Sequence, residues 1–179
     1  MKKIIHKLFW AWEFDKEEKW LNEMATKGLC LTSVSFCKYE FEECLPGEYS
    51  IRLELLENNI KHADSKQYIE FVEETGATYI GSVINWVYFS KKATNGAFDL
   101  YSDKQSRIKY LNRILILLGW IIVLNLYIGV YNLFIYFFLN SYLNIIGLIN
   151  LSIVLLTTIG FFKVYQKKRK LKKEQQIFE

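Results

Sequence analysis

Residues 114–162 read ILILLGWIIVLNLYIGVYNLFIYFFLNSYLNIIGLINLSIVLLTTIGFF, and no side chain in that stretch carries a charge. Arg113 stands immediately before it and Lys163 immediately after. An apolar run of about 18 residues suffices to cross a bilayer, and this run is more than twice as long. It predicts two transmembrane helices, 114–138 and 143–162, joined by a tight turn near Ser141. Asn132 and Asn150 lie nine residues either side of Ser141, and Asn125 and Thr157 sixteen. Antiparallel helices put equal distances at equal depth. Asn125, Asn132, Asn150 and Thr157 are therefore expected to form an interhelical polar seam, because a bare amide in lipid is costly.

Working outward, the charge is split between the two parts of the chain. Residues 1–100 hold 12 Lys/Arg against 16 Asp/Glu, a net of −4; residues 101–179 hold 11 against 3, a net of +8. The basic character thus belongs to the apolar half. It flanks the apolar run on both sides, from Lys104 to Arg113 and from Lys163 to Lys173. The excess of Lys and Arg predicts both termini in the cytoplasm. A dense basic tail is also attracted to anionic lipid, by about 1 kcal/mol per nearby Lys or Arg. The acidic first part argues against a phosphate-tracking surface, so no direct nucleic-acid binding is expected. The opening MKKIIHKLFWAW is interrupted by His6 and Lys7 and predicts a strand rather than a cleaved leader.

The expected organisation is a cytoplasmic α+β domain over 1–100, a juxtamembrane linker or helix over 101–113, the two spanning helices within 114–162, and a basic tail over 163–179. In the first domain, residues 3–14 suit a strand. Asp15 and Glu18 have capping-box spacing, and Trp20, Leu21, Met24 and Ala25 make one apolar stripe. Gly28 ends that helix. Residues 29–43 and 48–56 read as strands around the Pro46-Gly47 turn, with a bulge expected near Thr32–Ser33, where the alternation changes phase. Tyr68, Phe71, Val72 and Thr75 set a second helical face, ended by Gly76, and residues 77–91 read as a last strand. The order β-α-β-β-α-β is the ferredoxin-like arrangement. It would give a four-stranded antiparallel sheet with both helices on one face.

That sheet would leave one face uncovered. Trp10, Trp12, Tyr39, Phe41, Trp86 and Tyr88 fall on its strands and are the candidate partner or ligand face. The last strand is apolar at both parities, with Val87 and Phe89 against Ile84 and Trp86, whereas a one-sided sheet should alternate. Either a protein partner or second copy covers the face, or it binds a small ligand.

The stretches WEFDKEEKWLNEMATKGLCL, YEFEECLPGEYSIRLEL, YIEFVEETGATYIGSVINWVYFSKK and FDLYSDKQSRI resemble the bacterial domain-of-unknown-function family 2812. The resemblance covers roughly residues 5–113. It rests on separated motifs in order: the helix E-K-W-L-N-E-M-A-x-K-G, then Y-x-F-E-E with P-G-E-Y, then W-x-Y-F. It implies a bacterial membrane protein with a C-terminal helix pair, often encoded near PadR-type regulators and hence in a regulatory setting. It implies no activity. Leu29 and Ala77 stand where members carry tryptophan.

Catalytic and metal signals are weak throughout. Neither His6 nor His62 has a nucleophile or carboxylate at a suggestive spacing. Glu40, Glu42, Glu43 and Glu48 surround a turn and read first as a solvated hairpin tip, second as an oxygen cage for a divalent cation. Cys30, Cys37 and Cys44 lie seven apart, without the close pair a metal site prefers. Positions 30 and 44 share a strand parity that 37 lacks. In the cytoplasm all three are expected as reduced thiols. No catalytic residue, cofactor or metal is expected. The function expected is a membrane-tethered regulatory or sensory adaptor of the bacterial inner membrane, held in the lipid bilayer and binding a partner protein or small ligand. The alternative is an accessory subunit of a membrane transport assembly.

Overall fold

The phase change at Thr32–Ser33 and the pair Phe36–Cys37 decide how the first strands run. In the computed structural model, which describes residues 2–96, 98–101, 104–138 and 145–176, the chain divides into two compact units, Met1–Asp103 and Lys104–Glu179. The first unit holds strand β1 (Lys3–His6), helix α1 (Phe14–Thr26), β2 (Leu29–Ser35), β3 (Lys38–Glu43), β4 (Tyr49–Leu55), helix α2 (Ala63–Glu74), β5 (Ala77–Val83) and β6 (Trp86–Lys92). A 3-10 turn over Ala11–Glu13 leads into α1.

The strands form two antiparallel sheets of three, ordered β1-β3-β2 and β4-β6-β5. This corrects the single four-stranded ferredoxin-like sheet. Residues 29–43 and 77–91 each fold back on themselves instead of running as one strand. Cys37 and Ile84 adopt positive φ at those reversals, 56° and 57°. The expected bulge is present, between Leu31 and Ser33, and a second lies between Tyr79 and Gly81. Residues 7–14 leave strand geometry after His6.

The first unit is thus two tandem β-α-β-β units of one topology. Features recur 48 positions on, as from Gly28 to Gly76 and from the first bulge to the second. Leu21 and Ile69, Met24 and Val72, and Phe41 and Phe89 are buried at matching places. Gly28 has φ +77°, and a Cβ there would lie 2.9 Å from the Cys44 carbonyl oxygen, so two constraints select glycine.

The second sheet is covered on both faces. Ile51, Leu53 and Tyr88 share a core with Leu21 and Met24 of α1. Val87 and Phe89 share another with Ile69 and Val72 of α2. Hence both parities of β6 are apolar, and no sheet face stands open there as the single-sheet reading expected. Phe71, placed on the apolar face of α2 by spacing, is instead exposed, and Ile69 takes its place.

Helix α1 also closes an edge. β4 is the outer strand of its sheet, and its outward backbone groups would otherwise invite pairing. The Asn22 amide accepts from Ile51 N–H at 2.9 Å and donates to Ile51 C=O at 2.9 Å. Glu18 accepts from Leu53 N–H at 3.1 Å and from Arg52 at 3.2 Å. Glu18, expected in a capping box, is spent on this edge. At α2 the cap is His62, whose Nδ1 accepts from Asp64 N–H at 3.3 Å.

Cys30 and Cys44 are joined by a disulfide with Cα atoms 5.9 Å apart, which corrects the expectation of three reduced thiols. β2 and β3 pair Cys30 opposite Glu42, so the same-parity Cys44 just beyond reaches it. Cys37 is free at the hairpin tip.

The second unit holds α3 (Lys104–Phe138) and α4 (Ile145–Gln176), each long and apolar enough to cross a membrane. Both outrun the expected spans, since 104–113 and 163–176 continue as helix. The turn near Ser141 lies outside the described residues. The helices approach closely at two glycines: a Cβ on Gly129 would lie 2.8 Å from Leu151 Cδ2, and one on Gly147 2.8 Å from Asn132 Cβ.

Candidate functional site

The connection from β1 to α1 and the tips of both hairpins enclose a cavity of about 180 Å³. Each wall has a local cause. Residues 7–11 leave β1 and bring Phe9 and Trp10 across the opening. The first turn of α1 contributes Phe14 and Glu17, the first hairpin Phe36, Cys37 and Tyr39, and the second Ile84, Trp86 and Tyr88. The rim is apolar yet exposed: Phe36 is 75% exposed and Ile84 79%. A β-branched residue at positive φ is a backbone outlier, and Ile84 holds that conformation at this rim.

Four of the six aromatic candidates meet here: Trp10, Tyr39, Trp86 and Tyr88. Trp12 is buried and stacks on Trp10 with ring centres 5.2 Å apart. Trp86 stacks on Phe14 at 6.0 Å. Phe41 is fully buried in the core, against Trp20 at 5.8 Å, and takes no part in the site.

At the base of the cavity is a group that the strand pattern did not single out. Glu17 is buried, 8% exposed, and its Oε1 accepts from Tyr39 Oη at 2.7 Å and from Tyr88 Oη at 2.6 Å. Burial raises its pKa above the ordinary carboxyl value, against the two hydrogen bonds, which lower it. Both tyrosines are pushed up, by burial first and then by the Glu17 charge, so they remain protonated donors. The signal for Glu17 was present in the sequence. It precedes Leu21, Met24 and Ala25 at i−4, i−7 and i−8, on the buried stripe of α1, where a solvated carboxylate has no place.

The other candidates are dispersed. Glu40 pairs with Lys2 and Lys38, both at 2.6 Å, and these bonds hold its pKa down at about 2. Glu48 accepts from Leu45 N–H at 3.3 Å. Among the described residues no three His, Cys, Asp or Glu side chains converge as a metal ion would need. A second, wider hollow of about 490 Å³ lies beside the disulfide, with Glu42 and Glu43 exposed to solvent at its edge. In the helix pair, Asn125, Asn132 and Asn150 donate to carbonyls four residues back, each at 2.8 Å, as does Thr157 at 2.7 Å. Thr157 is buried and the three asparagines are half-buried. Asn132 packs beside Gly147.

The family model described as "Protein of unknown function (DUF2812)" matches residues 13–124, more than half of the chain. The chain belongs to the DUF2812 family. No curated protein and no solved structure matches it. The DUF2812 match takes in Glu17, Tyr39, Trp86 and Tyr88 and begins after Trp10 and Trp12. The acid and its two donors therefore lie within the matched range, while Trp10 of the cavity wall and the buried Trp12 stacked on it lie outside it.

Proposed function

We propose that this chain is a membrane-tethered sensory adaptor whose N-terminal domain takes a small ligand in the aromatic cavity. One observation carries the proposal: a buried carboxyl, donated to by tyrosines of both sheets, forms the floor of a cavity with aromatic walls. Ligand sites combine mostly apolar walls with a few placed polar groups, and a titratable group displaced by burial is their usual companion. The exposed rim of Leu8, Phe36 and Ile84 is the surface on which a protein partner would read the filled state.

The tether is the pair α3 and α4, and this reading gives it two passes through a bacterial inner membrane. Basic residues on both flanks support termini in the cytoplasm. The Cys30–Cys44 disulfide supports the opposite orientation, since disulfides persist in oxidising compartments. Thiol labelling of the chain in intact cells separates the two.

The sensory reading is tested by thermal unfolding of the full chain in lipid nanodiscs against small molecules of positive, neutral and negative charge. A compound that raises the melting temperature of the wild type, and not of Trp86→Ala, is expected. Failure of every charge class to do so overturns the reading.

A further inference from the structure

We infer that the cavity takes a small organic ammonium ion, with Glu17 as its counter-charge and the surrounding rings as its walls. The inference rests on the ligand-pocket reading above and specifies the chemistry of the ligand.

Both tyrosine hydroxyls donate to Oε1 of Glu17. Among the described residues no hydrogen bond reaches Oε2, although Glu17 lines the cavity. Oε2 is the oxygen open to the cavity, and a cation beside it would favour the charged form that burial disfavours. The walls suit a cation as well. Trp10, Phe14, Trp86 and the two tyrosines present rings, and ring faces attract cations, most of all where water is excluded. The domain already makes this kind of contact at the edge of the same cavity, where Lys7 Nζ lies 4.8 Å from the centre of Phe9 and 4.4 Å from that of Trp20.

Size and charge narrow the ligand. A cavity of about 150 Å³ holds one benzene-sized molecule, so about 180 Å³ admits a quaternary ammonium of choline size. An anion would face Glu17 across the cavity. The other titratable groups on the walls are Lys7, Cys37, Tyr39 and Tyr88. Tyr39 and Tyr88 remain protonated, and the Lys7 ammonium is occupied by two rings.

A cation binds the ionised form of Glu17. Binding therefore releases a proton wherever the empty site is protonated, and affinity strengthens as pH rises through the raised Glu17 pKa.

The test compares three probes of one shape on the full chain in phosphatidylglycerol nanodiscs: choline, its neutral carbon isostere dimethylbutanol, and the anion dimethylbutanoate. Binding is read by tryptophan fluorescence and calorimetry. Choline is expected to bind at least about tenfold more tightly than the alcohol, with proton release on binding. Glu17→Gln, which keeps an acceptor for both tyrosines, should remove that preference while the alcohol still binds. Equal binding of choline and the alcohol, tighter binding of the anion with loss in Lys7→Gln, or a choline preference that survives Glu17→Gln would each overturn the inference. In the first two cases the pocket itself stands, whereas no binding by any probe or library compound removes both. A weaker choline response in discs containing phosphatidylcholine assigns the ammonium to a lipid headgroup, and an unchanged response assigns it to a free solute. Both supply the chemistry inferred.

Discussion

Tyr39 and Tyr88 belong to different sheets and donate to one and the same oxygen, Oε1 of Glu17. The carboxyl is therefore a joint between the two halves of the first unit as well as the floor of its cavity. Replacing either tyrosine by phenylalanine should cost about 1–2 kcal/mol in urea unfolding of the full chain. Because the two share an acceptor, the double variant should depart from additivity by about 0.5 kcal/mol or more. Additive losses would show that the shared oxygen does not couple them.

Glu17 sets a pH dependence. Its folded pKa is raised, so its contribution to stability is fully present below the unfolded value of about 4.3 and is lost as pH rises through the folded value. Glu17→Gln has no such proton to lose. Melting temperature against pH should fall less steeply for the variant across that window, and above it the variant should be the more stable protein. Parallel curves would contradict the burial argument.

The disulfide predicts a thiol count. Denatured without reductant, the chain should accept one maleimide, at Cys37, and three after reduction. Closing a loop of about 15 residues stabilises by about 3 kcal/mol in the chain-entropy account, so reduction should lower the melting temperature. Three adducts without reductant would place the cysteines in a reducing compartment.

Asn22 holds the outer edge of β4. Asn22→Leu keeps the branched shape and removes both hydrogen bonds to the strand, leaving Ile51 N–H without its partner and Ile51 C=O with Arg52 alone. A loss of about 1–3 kcal/mol and concentration-dependent self-association are expected, measured by unfolding and by light scattering. A variant as stable and as monodisperse as the wild type would refute the edge role.

In the helix pair, a Cβ on Gly147 would almost touch that of Asn132. In a cysteine-free background, cysteines at 132 and 147 should form a disulfide within one chain once the helices part by roughly 1 Å to reach disulfide spacing, seen as a mobility shift at monomer mass. Crosslinks only between chains would place the two glycine-centred surfaces against another copy.

Much of the fold could be read from local signals. The charge-free run marked the helices, the terminating glycines marked α1 and α2, and the phase change marked the bulge before Ser33. The reversal at Phe36–Cys37 carries no Gly, Asn or Asp, and at Ile84–Asn85 the asparagine follows the positive-φ residue instead of occupying its place, so the turn signal is weak at both. Without those reversals four strands read as two, and one sheet face reads as uncovered. The aromatic candidates were gathered by that mistaken face, yet four of them share a cavity, because residues near a hairpin tip stay together whichever sheet holds them. Glu17 escaped notice among charged neighbours, where only its position on the Leu21 stripe distinguishes it. The disulfide was half legible: parity allowed Cys30 and Cys44 to meet, and only the hairpin brings them within reach.

The 48-residue recurrence carries Glu17 onto Ser65, which is also buried in the first turn of its helix and donates to Asn58 C=O at 3.2 Å. Two copies of one scaffold thus carry an acid at this inward-facing place in the first and an alcohol in the second, and Tyr39, which donates to the acid, falls on Val87. The molecule thus contains its own comparison at this position: the second lobe repeats the frame with an alcohol where the first has Glu17, and keeps its buried acid, Glu54, on β4 instead, where it accepts from Tyr101.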